Sequence, residues 1–151
     1  MNAGEKRVNA ITSALLQFCE EQVKKPTHAL TISFRQEAKH GRPITADICA
    51  HTLGWLKIQT ERKLFKRRVR DPSCRISMVV FVEGRSEFQN LHAHVVLQAP
   101  DHVDYHRMCE ILQTLAYRHA WLRPPIHIEP WRSRRWDSYI IKCGIDGLVV
   151  I

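Results

Sequence analysis

Two apolar segments separated by a short polar stretch set the strongest constraint on the fold. Residues 75–83 read RISMVVFVE, residues 91–98 read LHAHVVLQ, and the polar stretch GRSEFQN lies between them. Apolar runs of this length that are rich in β-branched residues favour strands, and a polar stretch with glycine and asparagine favours a turn. The sequence therefore predicts a β-hairpin in the middle of the chain.

Hydrophobic periodicity predicts the other elements. Residues 28–34 alternate in the manner of a half-buried strand, and residues 126–129 read as a short strand. Helical patterns or boundary signals occur at residues 5–24, at 44–65, in a segment capped by Asp101, and at about 135–143 with Gly144 as its C-terminal cap. In the second of these helices, Ile48, Trp55 and Ile58 fall on the stripe expected to face the core.

The order of these elements predicts the fold class. Helices that alternate with hairpinned strands favour an α+β domain, close to the split βαβ arrangement of an RRM-like palm. We expect an antiparallel sheet of about five strands with flanking helices. Residues 1–151 are the right length for one domain, with a helix in residues 1–25 packed on it.

The charge balance limits the class of partner. The chain has 23 Lys and Arg residues against 15 Asp and Glu, and its pI is near 9.6. Such a surplus suits a polyanion, and no apolar run approaches the roughly 20 residues that span a bilayer. The five cysteines form no paired motif, which favours a reducing compartment. We therefore expect a nucleic-acid partner and a location in the cytoplasm of a bacterial host, or in the nucleus of a eukaryotic one.

His92 and His94 form the first candidate site. Side chains alternate along a strand, so two histidines separated by one residue project from the same face and can ligate one divalent ion. Glu83 ends the preceding strand and is the favoured third ligand, ahead of Glu87, His127 and Glu129. Two imidazoles and a carboxylate with open positions suit Mg²⁺ or Mn²⁺. The alternative interpretation is two histidines that share no ligand.

Tyr139 and Lys142 form the second candidate site. At positions i and i+3 of a helix, the phenol and the ammonium group share one face and can act on one phosphate. A phenol becomes a good nucleophile when a nearby cation stabilises its ionised form. The alternative interpretation is an ordinary amphipathic helix with a core tyrosine.

Arginines and tryptophans precede this tyrosine. Residues 131–136 read WRSRRW, and guanidinium groups interleaved with indoles suit a single strand, because they neutralise phosphates and stack on bases. The candidate DNA contacts in this segment are Trp131, Arg132, Arg134 and Arg135. The basic run from Arg62 to Arg70, which includes Arg67 and Arg68, is a further candidate surface, with an ordinary solvated face as the alternative.

These motifs together resemble those of the HUH endonucleases, and in particular of rolling-circle replication initiators (Rep proteins). Residues 91–98 resemble the HUH motif, two histidines that flank a hydrophobic residue. Residues 136–142 (WDSYIIK) resemble the YxxK nucleophile motif, and residues 28–34 (HALTISF) resemble a less specific first motif. The resemblance spans roughly residues 27–144.

The resemblance implies an activity and a role for each residue. His92 and His94, with Glu83, would hold Mg²⁺ or Mn²⁺ at the scissile phosphate of single-stranded DNA, in an origin or a hairpin. Tyr139 would attack that phosphate to give a 5′-phosphotyrosine link and a free 3′-OH, and Lys142 would assist. No GxxxxGK[ST] phosphate loop occurs, so a host helicase and polymerase are the expected partners.

Two other functions stay open at this stage. A single-strand DNA transposase of the same superfamily also has HUH and one tyrosine, although its nucleophile helix usually supplies a metal ligand such as Gln where Lys142 stands here. A non-catalytic nucleic-acid-binding module would call for exposed aromatics on central strands, and Phe34 and Phe81 do not form such a pair.

Overall fold

A five-stranded antiparallel sheet organises the computed structural model, which describes residues 2–37, 40–84 and 90–151, with the side chains of residues 140 and 142–144 outside this description. The spatial order of the strands is β4-β1-β3-β2-β5. Their bounds are β1 His28–Ser33, β2 Ser77–Glu83, β3 His92–Gln98, β4 His127–Pro130 and β5 Leu148–Val149.

The helices complete the predicted α+β fold. They are α1 Ala3–Gln22, α2 Ala46–Phe65, α3 Tyr105–Ala116 and α4 Arg135–Ile140, with 3₁₀ helices at Lys66–Arg70 and Ile141–Gly147. The succession β1-α2-β2-β3-α3-β4 in the order 4-1-3-2 is the split βαβ arrangement, and β5 adds a strand beside β2. The predicted fold class is confirmed.

Side chains fix where the helices begin. Asn2 and Glu5 form a reciprocal capping box at α1, and the Thr45 hydroxyl accepts the backbone N–H of Ile48 at α2. The cap of α3 is Asp104, whose carboxylate accepts the N–H of Arg107 at 2.9 Å. The prediction of Asp101 as this cap is wrong, because Asp101 lies in the preceding turn.

The larger core lies between the sheet and helices α2 and α3. It includes Leu30, Ile32, Val80, Val82, Ala93, Val95 and Leu97 from the strands. From α2, Cys49, Leu53 and Leu56 face the sheet, whereas Ile58 is exposed and Trp55 is only partly buried. The predicted stripe on this helix is therefore displaced, because Cys49, Leu53 and Leu56, spaced four and three residues apart, form the apolar stripe that faces the sheet.

The opposite face of the sheet is covered at one end only. Leu15, Cys19 and Val23 pack on Val79, Phe81 and Val96, together with Ile141. Both faces of β1 are therefore buried from His28 to Leu30, and the strand opens to solvent only at Ser33. The prediction of a half-buried strand holds only for its last residues. The first half of α1 extends beyond the sheet, with Val8 and Ile11 exposed.

The cysteines behave as small apolar side chains. Cys19, Cys49 and Cys74 are buried and Cys109 is partly buried, whereas the side chain of Cys143 lies outside the described set. Burial, with the nearby Asp137 carboxylate, raises the pKa of Cys19 to about 11, so this thiol stays neutral.

His28 is a fully buried titratable group in the sheet. Its ring stacks on Tyr105, with ring centroids 4.6 Å apart. Its Nε2 donates to the Tyr105 carbonyl at 3.3 Å, and its Nδ1 lies 2.6 Å from the Thr27 hydroxyl oxygen. Burial disfavours the charged ring and lowers the pKa of His28 below its ordinary value.

We predict that stability falls as the pH drops below about 6.5, where the unfolded chain protonates His28 and the folded chain does not. One such group contributes at most about 1.4 kcal/mol per pH unit to the free energy of unfolding. His28→Gln keeps an amide donor for the Tyr105 carbonyl and should flatten the pH dependence, measured by urea denaturation between pH 7.5 and 5. The exposed His51 offers the control His51→Gln, and equal slopes in the two variants would contradict the assignment.

Candidate metal and nucleophile site

Strand register brings Glu83, His92 and His94 together. Glu83 pairs directly with His92 across β2 and β3, and His94 lies two residues further along β3 on the same face. One ligand atom from each residue lies within 4.8 Å of the others. The favoured third ligand is therefore brought to the two histidines, whereas His127 and Glu129 lie outside this cluster and Glu87 lies outside the described residues.

The distances within the cluster suit a shared cation. Oε2 of Glu83 lies 3.1 Å from Nε2 of His92 and 3.4 Å from Nε2 of His94. Two ligands that each bind a divalent ion at about 2.1 Å, with angles near those of a tetrahedron or an octahedron, lie roughly 3.0–3.4 Å apart. Glu83 and His94 are buried, and the His92 side chain is 29% exposed. These residues could hold a metal ion that is open to solvent on the His92 side.

Neighbouring groups orient both imidazoles. Nδ1 of His92 donates to the Asn90 carbonyl at 3.0 Å, because a carbonyl can only accept. Nδ1 of His94 lies 3.2 Å from the Thr31 hydroxyl on the adjacent strand. In each ring Nε2 is thus the nitrogen turned toward Glu83. Such partners commonly fix the tautomer and orientation of metal-binding histidines.

Tyr139 lies beside this cluster. Its ring meets the His94 ring edge to face, with centroids 5.4 Å apart, and Trp136, one turn earlier on α4, meets the same ring at 5.8 Å. Tyr139 is 53% exposed, so it is not a core residue. The structure therefore brings together the two motifs that the sequence placed far apart.

The helix that carries Tyr139 is shorter than predicted. α4 ends at Ile140, and the chain continues in the 3₁₀ helix Ile141–Gly147. Tyr139 and Lys142 therefore do not belong to one α-helix over 135–143, and Gly144 lies within the 3₁₀ turn rather than after the helix. The side chain of Lys142 lies outside the described residues.

A groove runs from Tyr139 along the edge of the sheet. Its volume is about 420 Å³, and its lining consists of Glu129, Pro130, Arg132, Ser133, Arg135, Trp136 and Tyr139. Arg132 and Arg135 are exposed, so their guanidinium groups face solvent at the groove. Two of the four predicted contacts in the Trp/Arg segment thus lie next to the tyrosine.

Trp131 and Arg134 make contacts within the protein. The Arg134 guanidinium donates to the buried carboxylate of Asp137 at 2.9 Å and to the Val23 carbonyl at 3.0 Å. It also lies over the Trp131 ring, 5.1 Å from its centroid. This cation therefore connects α4 to the end of α1, and Trp131 packs on the smaller core.

Arg67 and Arg68 are not brought to the site. They belong to the 3₁₀ helix after α2, and α2 packs on the face of the sheet opposite His94. The chain then enters β2 at Ser77, separated from Glu83 by the length of the strand, roughly 20 Å at the usual rise per residue. Their exposed charges lie on a remote surface.

Comparison with known proteins adds no relative. The chain matches no protein-family model, no curated protein and no solved structure. No helix in the described part of the chain is long and apolar enough to cross a membrane.

Sequence reasoning missed three contacts that shape the site, those of Thr31 and Trp136 with His94 and that of Asp137 with Arg134. Thr31 contacts His94 only because β1 pairs with β3, and this pairing depends on the strand order. The other two contacts could have been predicted from spacing, because residues three apart on a helix lie on one face. This spacing places Trp136 beside Tyr139 and Asp137 beside Arg134.

Replacing Thr31 tests whether His94 is a metal ligand. Thr31→Val keeps the shape of the side chain and removes the acceptor for Nδ1–H of His94, so Mn²⁺ affinity should fall by about 10- to 100-fold. Isothermal titration calorimetry measures the change. Ser33→Ala is the matched control, because this hydroxyl on the same face makes no hydrogen bond among the described residues. Equal affinities in the two variants would contradict the contact.

Replacing Arg134 tests its structural role. Arg134→Gln leaves the Asp137 carboxylate buried without its cation, and we expect a loss of about 2 kcal/mol in the free energy of unfolding. Arg132→Gln removes the same charge from the groove and should change it by about 0.5 kcal/mol or less. Denaturant titration of both variants gives the comparison, and equal midpoints would show that Arg134 does not clamp α4.

Proposed function

We propose that this protein is an HUH-type endonuclease and strand transferase that nicks single-stranded DNA with Tyr139 and thereby initiates rolling-circle replication. The observation that supports it most is the position of a half-exposed phenol against His94, within the cluster of Glu83, His92 and His94. A nucleophile and a set of metal ligands at this proximity suit phosphoryl transfer through a covalent intermediate.

The ligand set alone does not define the reaction. Two histidines and one carboxylate also hold iron in oxygenases. The phenol beside His94 and the exposed Arg132 and Arg135 along the groove favour a substrate with phosphates. Phe34 and Phe81 are buried, so these two aromatics offer no stacking surface on the central strands. The arrangement therefore favours an enzyme over a passive nucleic-acid-binding sheet.

The proposed reaction forms one bond and breaks one. The Tyr139 oxygen attacks the scissile phosphorus after giving its proton to solvent, the bond to the 3′ oxygen breaks, and that oxygen takes up a proton from solvent, so the products are a 5′-phosphotyrosine and a free 3′-OH. Glu83, His92 and His94 would hold Mg²⁺ or Mn²⁺, which when bound supplies Lewis-acid polarisation of the phosphate. Arg132 and Arg135 would bind neighbouring phosphates of the strand.

Tyr139 must lose its proton to attack. An ordinary phenol titrates near pH 10, so a nearby positive charge is needed for attack at neutral pH. The Lys142 ammonium group would supply this charge, together with an ion held by Glu83, His92 and His94. The new 3′-OH is a primer for a host polymerase, with a host helicase opening the duplex. Because the phosphotyrosine retains the energy of the broken bond, a later 3′-OH can displace Tyr139 and rejoin the strand.

Removing the Tyr139 hydroxyl tests the nucleophile. With a random-sequence pool of single-stranded DNA and Mn²⁺, the unaltered protein should form an adduct that survives SDS, and Tyr139→Phe should form none. The label should enter the adduct from the 3′ end of the DNA and not from the 5′ end, because the protein stays on the 5′ phosphate of the downstream fragment. DNA binding by Tyr139→Phe, measured by fluorescence anisotropy, should be largely unchanged.

Two controls sharpen this experiment. Tyr117→Phe removes a hydroxyl from an exposed tyrosine at the end of α3 and should leave the adduct intact. EDTA should abolish the adduct in every variant. An adduct that persists in Tyr139→Phe would overturn the nucleophile, and failure of the unaltered protein to form one would overturn the proposed function.

A further inference from the structure

A short extension of the sheet lies beside the metal cluster. Phe34 and Leu122 form an antiparallel bridge beyond the end of β1. The N–H of Arg35 donates to the Trp121 carbonyl at 2.9 Å, and the N–H of Arg123 donates to the Ser33 carbonyl at 3.0 Å. These two bonds flank the bridge, so Ser33 lies opposite Arg123 and Arg35 lies opposite Trp121.

The register assigns these residues to one face. Phe34 and Leu122 are buried in the core beneath α2 and α3. Arg35 and Arg123 flank this buried pair and are exposed, so they belong to the opposite face, and Trp121, in the turn before Leu122, is partly exposed beside them. That face also carries Glu83 and His92, because Ser33 pairs with His92 and His92 pairs with Glu83.

Their chemistry suits a single strand. Arg35 and Arg123 are exposed, and their guanidinium groups make no hydrogen bond or ion pair among the described residues. Arg134, in contrast, is bound by Asp137 and a carbonyl of the protein. Trp121 is partly exposed between the two arginines in register. Two available cations beside one indole offer phosphate contacts and a stacking surface.

We infer that Arg35, Trp121 and Arg123 form a second single-stranded DNA subsite, on the other side of Tyr139 from the Arg132–Arg135 groove. This inference rests on the proposed function. It adds named contacts for the part of the substrate strand that lies on the side of the scissile phosphate away from the groove.

The sheet gives the relative positions. The groove reaches the sheet at Glu129, which pairs with Ala29. Ser33, opposite Arg123, lies four residues further along β1, roughly 13 Å away at the usual rise per residue. Tyr139 contacts His94, and His94 pairs with Thr31, which lies between Ala29 and Ser33 on β1. A strand that joins the groove to the subsite therefore passes the tyrosine.

Salt dependence of binding tests the cationic contacts. The probe is single-stranded DNA of random sequence in EDTA, so that cleavage does not interfere. Arg123→Gln and Arg35→Gln should each lower the slope of log affinity against log salt by about 0.7, equivalent to about fivefold weaker binding at 0.1 M salt. Arg107→Gln is the matched control, since it removes the same charge from α3 on the opposite face and should leave the slope unchanged.

Trp121 is tested separately from charge. Trp121→Ala should weaken binding roughly tenfold without changing the salt slope, because the indole stacks but carries no charge. Trp121→Phe keeps an aromatic face and should recover most of the affinity. If the alanine variant is unstable, the comparison of the phenylalanine variant with a Trp121→Leu variant gives the same information.

The outcomes separate the subsite from the proposed function. Slopes unchanged in both arginine variants would overturn the subsite even if the protein forms its phosphotyrosine adduct. Reduced slopes in a protein that forms no adduct would support the subsite and overturn the nicking function. Reduced slopes in Arg107→Gln as large as those in Arg123→Gln would show only general charge attraction and would also overturn the subsite.

Discussion

The cross-strand pairing of Glu83 with His92 is the contact on which the rest of the site depends. A carboxylate buried at the end of a strand is costly unless a cation or strong donors compensate it, and here two imidazoles converge on one of its oxygens. A slip of one residue between β2 and β3 would turn both imidazoles into the apolar core. The packing of Val80, Val82 and Val95 therefore also holds the three candidate ligands in place.

The two faces of the sheet differ in how much of their length helices cover. Helices α2 and α3 cover one face with apolar contacts along its length, whereas α1 covers only part of the other. Along β1 the second face changes from buried Ala29 through half-buried Thr31 to exposed Ser33. The candidate ligands lie on this gradient, so His94 is buried and His92 is reachable from solvent.

The sequence predicted the parts of this molecule that depend on local pattern. Alternation placed His92 and His94 on one face, and the hairpin placed Glu83 near them, because both depend on a period of two and on neighbouring strands. Thr31 could not be predicted as their partner, since it is remote in sequence and meets His94 only through the order of the strands. The pairing of Ser33 with Arg123, on which the proposed subsite rests, could not be predicted for the same reason.

Other predictions were wrong because two neighbouring residues of the same type could play the same role. Two aspartates three residues apart precede α3, and only the hydrogen bond of Asp104 decides which one caps it. The arginines of the Trp/Arg segment could not be distinguished in the sequence. In the structure Arg134 is bound to the buried Asp137 carboxylate, whereas Arg132 and Arg135 are exposed to solvent. Composition shows how many charged side chains a segment has but not which of them form ion pairs within the protein.

The hydrogen bond from Arg134 to the Val23 carbonyl links the position of Tyr139 to that of α1. The helix with the tyrosine is fastened to the end of α1, whereas the metal ligands are fastened to the strands of the sheet. The Tyr139 phenol is thus positioned by α1 as well as by the packing of Ile141 on the sheet, and it meets the candidate ligands at the His94 ring. A small tilt of α1 would move the phenol more than it would move Glu83, His92 and His94, which the strands hold.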